Sequence, residues 1–243
     1  LGGQVLMASS APHRADLGAI TDWLSNELDS LGVEVHLNSF VDEELVAKVN
    51  PDEVVVAAGS MPNTEGFQQS TPASEIRGFH LPHVYSPWDI LGFGKVTKFN
   101  GPAVVYDDTG TFEAISISDI LLKKGLKVTM VGRGDSIGAR LPFPPVTAGA
   151  ARERLYSGNF DFIGGHHLLA IEESRVEIGV MFTERIRKID AHTVVFVGHN
   201  SPNRELWVSL KGNGPKVHMI GDVRCHNSIM SAIHAGNSLG RSI

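Results

Sequence analysis

One cysteine, Cys225, stands among 243 residues. A single thiol excludes an internal disulfide, a Cys-x-x-Cys redox pair and any cysteine-rich metal or iron–sulfur site within this chain. It fits a reducing compartment, so a cytoplasmic location is expected. Positive charge is also short: 21 Lys and Arg against 27 Asp and Glu leave −6 with His neutral, and the basic footprint of a nucleic-acid-binding protein is missing. No apolar run approaches the roughly 18 residues of a membrane span. Neither nucleic acid nor a membrane is therefore an expected partner. Like charges do not run in blocks and 42% of the residues are hydrophobic, which excludes a disordered chain. Repeats and low-complexity tracts are absent. The eleven histidines form no H-E-x-x-H pattern, and His166-His167 in a strand would point to opposite faces; no metal site is expected. The chain opens Leu1-Gly2-Gly3-Gln4 without an initiator Met or a signal-peptide pattern, and reads as a piece of a longer protein.

What is present is glycine, 26 residues or about 11% against a usual 7%, and an alternation of helix-like and strand-like stretches. The length allows one to two domains. Residues 15–31 carry Leu17, Ile20, Leu24, Leu28 and Leu31 at helical spacing. Gly32 ends that helix, and residues 33–37 (Val33 to Leu37) are expected to form a strand. A short helix over 42–48 precedes a buried strand at 53–58, apolar throughout as in a parallel sheet. Residues 61–101, with Pro62, Pro72, Pro82 and Pro87, read as a long connector. A β-α-β unit follows: strand 103–106, turn Asp107-Asp108-Thr109-Gly110, helix 112–124, Gly125, strand 127–131. Pro142, Pro144 and Pro145 are expected to forbid a helix after it. Five closely spaced strands at 162–163, 167–171, 176–182, 185–189 and 193–197 suggest an antiparallel meander. A strand at 216–220, Gly221-Asp222 and a helix over 228–241 close the chain. The expected architecture is α/β, with two Rossmann-like nucleotide-binding domains and an antiparallel β meander.

Four motifs bear on chemistry. Gly134-Asp135-Ser136-Ile137-Gly138 matches G-x-S-x-G, but a hydrolase elbow needs a helix straight after the serine, and the prolines oppose one; a plain glycine-rich loop is the better reading. Gly132-x-Gly134-x-x-x-Gly138 overlaps a dinucleotide pattern and fails on the same helix. The turn 107–110 does lie between strand and helix, where a phosphate loop belongs. It has one glycine and two carboxylates, which repel a pyrophosphate, and it reads equally as a helix-capping turn. Asp222, at the end of a strand and before a helix, is suited to accept sugar hydroxyl hydrogen bonds; an ordinary cap is as good an explanation.

Taken in order, Leu1-Gly2-Gly3-Gln4, Val54-Val55-Val56-Ala57-Ala58-Gly59, Val105 to Gly110 with Phe112-Glu113-Ala114, and Ile220-Gly221-Asp222 with Ala232 to Gly236 resemble the C-terminal region of the trimethylamine dehydrogenase/2,4-dienoyl-CoA reductase flavoproteins. The likeness spans nearly the whole chain. It implies a C-terminal pair of nucleotide domains behind an N-terminal barrel with FMN and a 4Fe-4S cluster. The first domain holds FAD or ADP; the second is inserted into it and takes NADPH in the reductases. The implied division is 1–100 for the first part of the FAD/ADP domain, without its initial βα unit, then 101–192 for the inserted domain and 193–243 for the return. The implied cofactor-binding residues are Gly2, Gly3, Gln4, Ala57, Ala58, Gly59, Gly221, Asp222, Ser228 and Ile229. Asp222 is to contact the ribityl or ribose chain, and the helix from Ser228 to approach the pyrophosphate. No residue here is assigned to substrate oxidation. The acidic turn departs from the reductases' glycine-rich loop and is nearer the amine-dehydrogenase branch, so NAD(P) binding is doubtful; Arg133, placed to meet a 2′-phosphate, does not restore the site alone. The implied protein is a flavin-dependent oxidoreductase of amine dehydrogenase or demethylase type, with a small-molecule substrate at the barrel, an electron-transfer flavoprotein as acceptor and a homo-oligomeric state. The alternatives are an NADPH-dependent dienoyl-CoA or enoate reductase and a degenerate, non-enzymatic nucleotide-fold scaffold.

Overall fold

The computed structural model describes residues 1–92, 98–142, 144–212, 214–225 and 228–243; residues 93–97 of the expected connector lie outside them. In chain order the elements are α1 (Gln4–Ser10), α2 (Gly18–Ser30), α3 (Glu43–Val49), β1 (Glu53–Val56), β2 (Ser60–Met61), β3 (Val84–Tyr85) and α4 (Pro87–Ile90). Next come β4 (Ala103–Asp107), α5 (Phe112–Lys123), β5 (Val128–Gly132), α6 (Pro144–Thr147), α7 (Gly149–Tyr156), β6 (Phe160–Ile163), β7 (His166–Ile171), β8 (Arg175–Val180), β9 (Ile186–Asp190) and β10 (Thr193–Val197). The chain ends with β11 (Ser201–Pro202), α8 (Glu205–Leu210), β12 (Lys216–Met219) and α9 (Ile229–Gly240). Two compact units result. The first comprises 1–6, 16–61 and 200–243; the second comprises 7–15 and 62–199. Among the described residues no helix is long and apolar enough to cross a membrane.

The second unit is built on a five-stranded parallel sheet in the order β3-β10-β4-β5-β6. β4 is buried at every position, as a strand covered on both faces must be. Its side chains alternate between two cores. Ala103 and Val105 join Ile115, Ile117 and Leu121 of α5 and Leu155 of α7 on one face. Val104 and Tyr106 join Leu168 of β7 and Val176 and Ile178 of β8 on the other. Helices thus cover one side of the sheet, and the antiparallel β7-β8-β9 meander covers the other.

In the first unit β1 and β12 pair in parallel, with Val54 opposite Val217 and Val56 opposite Met219. Glu53 and His218 clamp the pair through a 2.6 Å contact.

Three expectations are corrected. Residues 33–37 form no strand: Val33, Val35 and Leu37 have the alternation but are exposed, and a strand needs a neighbouring ladder to satisfy its backbone. The five-strand meander shrinks to three, because β6 and β10 are apolar enough to be drawn into the parallel sheet beside β5 and β4. The prolines at 144 and 145 start α6 rather than forbid it, since the first turn of a helix has no use for the missing N–H groups.

Candidate functional site

The first unit gathers polar groups where β1 and β12 end. Ile220 N donates to Val56 O at 3.1 Å, so the two strands deliver Ala57-Ala58-Gly59-Ser60 and Gly221-Asp222 side by side at their carboxyl ends, the position where open α/β sheets bind ligands. Gly59 has φ 74° and Gly221 φ 63°, turns that a side chain disfavours. Ala57 and Ala58 are exposed, and their methyl groups leave the backbone approachable.

Ser60 is the hub. It is 3% exposed and pinned by the β2–β11 bridge, in which Ser60 faces Pro202, with Asn203 N donating to Gly59 O at 3.0 Å. Gln4 Nε2 donates to Ser60 Oγ at 3.1 Å and to Ser60 O at 3.2 Å. Asn200 Nδ2 donates to Ser60 Oγ at 3.3 Å. Ser60 Oγ donates to Asp222 Oδ2 at 3.2 Å. Of the residues expected from sequence, Gln4, Gly59, Gly221 and Asp222 are therefore brought together with Ala57 and Ala58. Gly2 and Gly3 lead into α1, and Ser228 and Ile229 open α9, where Ser228 Oγ accepts from Ser231 N at 3.2 Å as the helix cap. Ser60 and Asn200 were not anticipated. Ser60 had a signal, following the glycine of the strand-end motif; Asn200 had none, because its role arises from the chain's return into this unit.

The second unit has the corresponding strand-end loop after β4, and its donors are used internally. Asp107 Oδ1 accepts from Thr109 N at 3.0 Å, Thr109 Oγ1 at 3.0 Å and Gly110 N at 2.8 Å. A dinucleotide loop would aim such N–H groups at phosphate. Burial pushes the Asp107 carboxyl up to about 6, against the downward pull of these hydrogen bonds. Asp108, whose side chain has no solvent exposure, pairs with Arg133 Nε at 3.3 Å and accepts from Gln69 N at 2.8 Å. Arg133 Nη2 donates to Gln69 Oε1 at 2.8 Å. Buried Gln68 donates to Leu168 O and accepts from Leu168 N. The segment 68–70 thus lies across the ends of β4 and β5. Burial also raises Asp108, opposed by Gln69 N and Arg133, and raises the phenol of Tyr106 beneath it. Arg133→Ala is expected to cost this unit about 2 kcal/mol at neutral pH, measured by denaturant unfolding, because it leaves a buried carboxylate without its cation.

Residues 133–143 contain no helix among the described residues, so Ser136 is not at a helix start and does not form a nucleophile elbow. No group of three or more His, Cys, Asp or Glu suited to a metal occurs among the described residues.

No protein-family model matches the chain. It is 29% identical over 247 residues to an NADH oxidase from Thermoanaerobacter brockii, covering 97% of this chain and 35% of that protein. It is 35% identical over 134 residues to an N,N-dimethylglycine/sarcosine dehydrogenase from Chromohalobacter salexigens, covering 54% of this chain and 18% of that one. The solved 6-hydroxypseudooxynicotine amine oxidase from Pseudomonas geniculata N1 superimposes with TM-score 0.89 at 25% identity, over 98% of this chain and 36% of its own. Histamine dehydrogenase from Rhizobium sp. 4-9 gives TM-score 0.90 at 22% identity, over 100% and 38%, a likeness of fold. The chain spans about a third of the length of the relatives that it matches from end to end.

Proposed function

Since the chain belongs to the trimethylamine dehydrogenase/2,4-dienoyl-CoA reductase family of flavin-dependent oxidoreductases, we propose that its first unit holds FAD or ADP and that its second unit, inserted between 61 and 200, is a nucleotide fold that takes no pyridine nucleotide. The observation that carries the first half is the convergence of Gln4, Gly59, Ser60, Gly221 and Asp222 at the carboxyl ends of β1 and β12. Asp222 accepts hydrogen bonds from sugar or ribityl hydroxyls. The backbone at 57–59 allows close approach. The N-terminus of α9, with no acidic residue in its first turn, favours the anionic pyrophosphate. FAD, when bound, supplies a two-electron carrier, and the protein supplies position and electrostatics.

The second half rests on the self-satisfied loop at Asp107. It favours an amine dehydrogenase or demethylase type for the whole protein over a reductase driven by NADPH. Substrate oxidation then belongs to an FMN barrel with its 4Fe-4S cluster outside these residues, and an electron-transfer flavoprotein is the proposed acceptor of a homo-oligomeric enzyme. A reductase reading is favoured by one finding, the end-to-end likeness to an NADH oxidase and to a cinnamate reductase from Clostridium sporogenes.

One experiment separates these readings. Denaturation of the intact protein is expected to release FAD or ADP in about equal amount to the chain, measured by chromatography of the filtrate. Saturating NADPH added without oxygen is expected to leave the flavin absorbance unchanged. Release of neither nucleotide overturns the first assignment, and bleaching by NADPH overturns the second.

A further inference from the structure

We infer that Ser60 is the positioning residue of the nucleotide site, acting as a one-way hydrogen-bond relay that fixes the carboxylate of Asp222; the inference rests on the FAD/ADP reading of the first unit. A serine hydroxyl has one proton and two acceptor positions. The amide nitrogens of Gln4 and Asn200 only donate, and both point at Ser60 Oγ, at 3.1 and 3.3 Å. They fill its acceptor positions. The proton is left for Asp222 Oδ2, at 3.2 Å. A second clamp holds Gln4 in place, since its Nε2 also reaches Ser60 O. The hub is 3% exposed, and serial hydrogen bonds of one polarity reinforce each other.

The relay has two consequences. Asp222 receives a donor on Oδ2 and offers its carboxylate as an acceptor toward ligand. The bond to Oδ2 also fixes the plane of the carboxylate, and with it the direction from which a hydroxyl donates. The ligand chemistry this selects is a polyol or ribose carrying a free hydroxyl. The device joins three stretches far apart in sequence, at residues 4, 60 and 200, to the strand-end aspartate at 222.

The test uses the intact protein freed of nucleotide, with FAD and ADP as probes in equilibrium dialysis. Ser60→Ala is expected to weaken binding about ten- to hundredfold, the worth of a hydrogen bond to a charged group. Asp222→Asn is expected to weaken it comparably. The double variant is expected to bind within about threefold of Asp222→Asn alone, because the Ser60 hydroxyl proton is directed to Asp222. Ser60→Thr, which keeps the hydroxyl, is expected to restore most of the loss. Losses that multiply in the double variant overturn the relay and leave a merely structural serine. A second readout needs no nucleotide: with aspartate labelled at the carboxyl carbon, the nuclear magnetic resonance titration of Asp222 is expected to move up in Ser60→Ala and return in Ser60→Thr. No movement overturns the relay whatever the dialysis gives. A wild-type protein that binds neither FAD nor ADP while showing this shift overturns the nucleotide reading and keeps the relay.

Discussion

Asp107→Asn is expected to abolish most of the pH dependence of the second unit's stability between pH 4 and 7, and Asp107→Ala to cost about 3 kcal/mol at pH 5. Asp107 is 4% exposed, and burial outweighs its hydrogen bonds to lift its carboxyl to about 6. The unfolded chain ionises near the ordinary value of 3.8. Between those values the folded state binds the extra proton, so stability falls as pH rises through this window and the loss is complete above the folded value. The size is about 3 kcal/mol for a shift of roughly two units. Asp108 is raised in the same direction and adds to the slope; Arg133 beside it moderates it. His199 also faces Asp108 electrostatically. Asparagine keeps an oxygen for Thr109 N and Gly110 N but carries no charge to desolvate, so its unfolding midpoint in urea changes little with pH. Alanine removes the acceptor and leaves the buried N–H of Thr109 and the half-buried N–H of Gly110 unmet. A wild-type protein equally stable at pH 4 and 7, with Asp107→Asn indistinguishable from it, would mean that the loop holds its carboxylate ionised and that its hydrogen bonds outweigh burial.

The same loop shows what can be read from residues in order. β4, α5 and β5 follow directly from local pattern: an apolar run, a helical repeat and a second apolar run, each closed by its turn. That Asp107 caps its own loop was legible as one of two meanings of an acidic turn. The structure separates them because it reveals where the N–H groups go. Gln69 was not legible, since nothing local shows that a connector residue crosses to Asp108 and Arg133. Asn200 was hidden for the same reason. Strands β6 and β10 look like meander strands in sequence, and only pairing across more than twenty residues of chain assigns them to the parallel sheet. Local spacing records periodicity; it does not record partners.

Residues 33–37 press that point further, and they lead to the second large effect. The backbone amides of Val54 to Val56 are expected to exchange with solvent at least a thousandfold faster than those of β4. Among the described residues β1 has one ladder partner, β12. Two-stranded sheets are marginal in water, and parallel strands normally lie with both faces covered. Here Val55 is 40% exposed, and most of the exposed large apolar side chains belong to the first unit, including Trp23, Leu31, Val33, Leu37, Phe40 and Met230. β4 by contrast has partners on both edges and cores on both faces. Hydrogen exchange followed by mass spectrometry reads both strands in the same digest. Equal, slow exchange of β1 and β4 would mean that pairing with β12 alone protects β1 as fully as the five-stranded sheet protects β4.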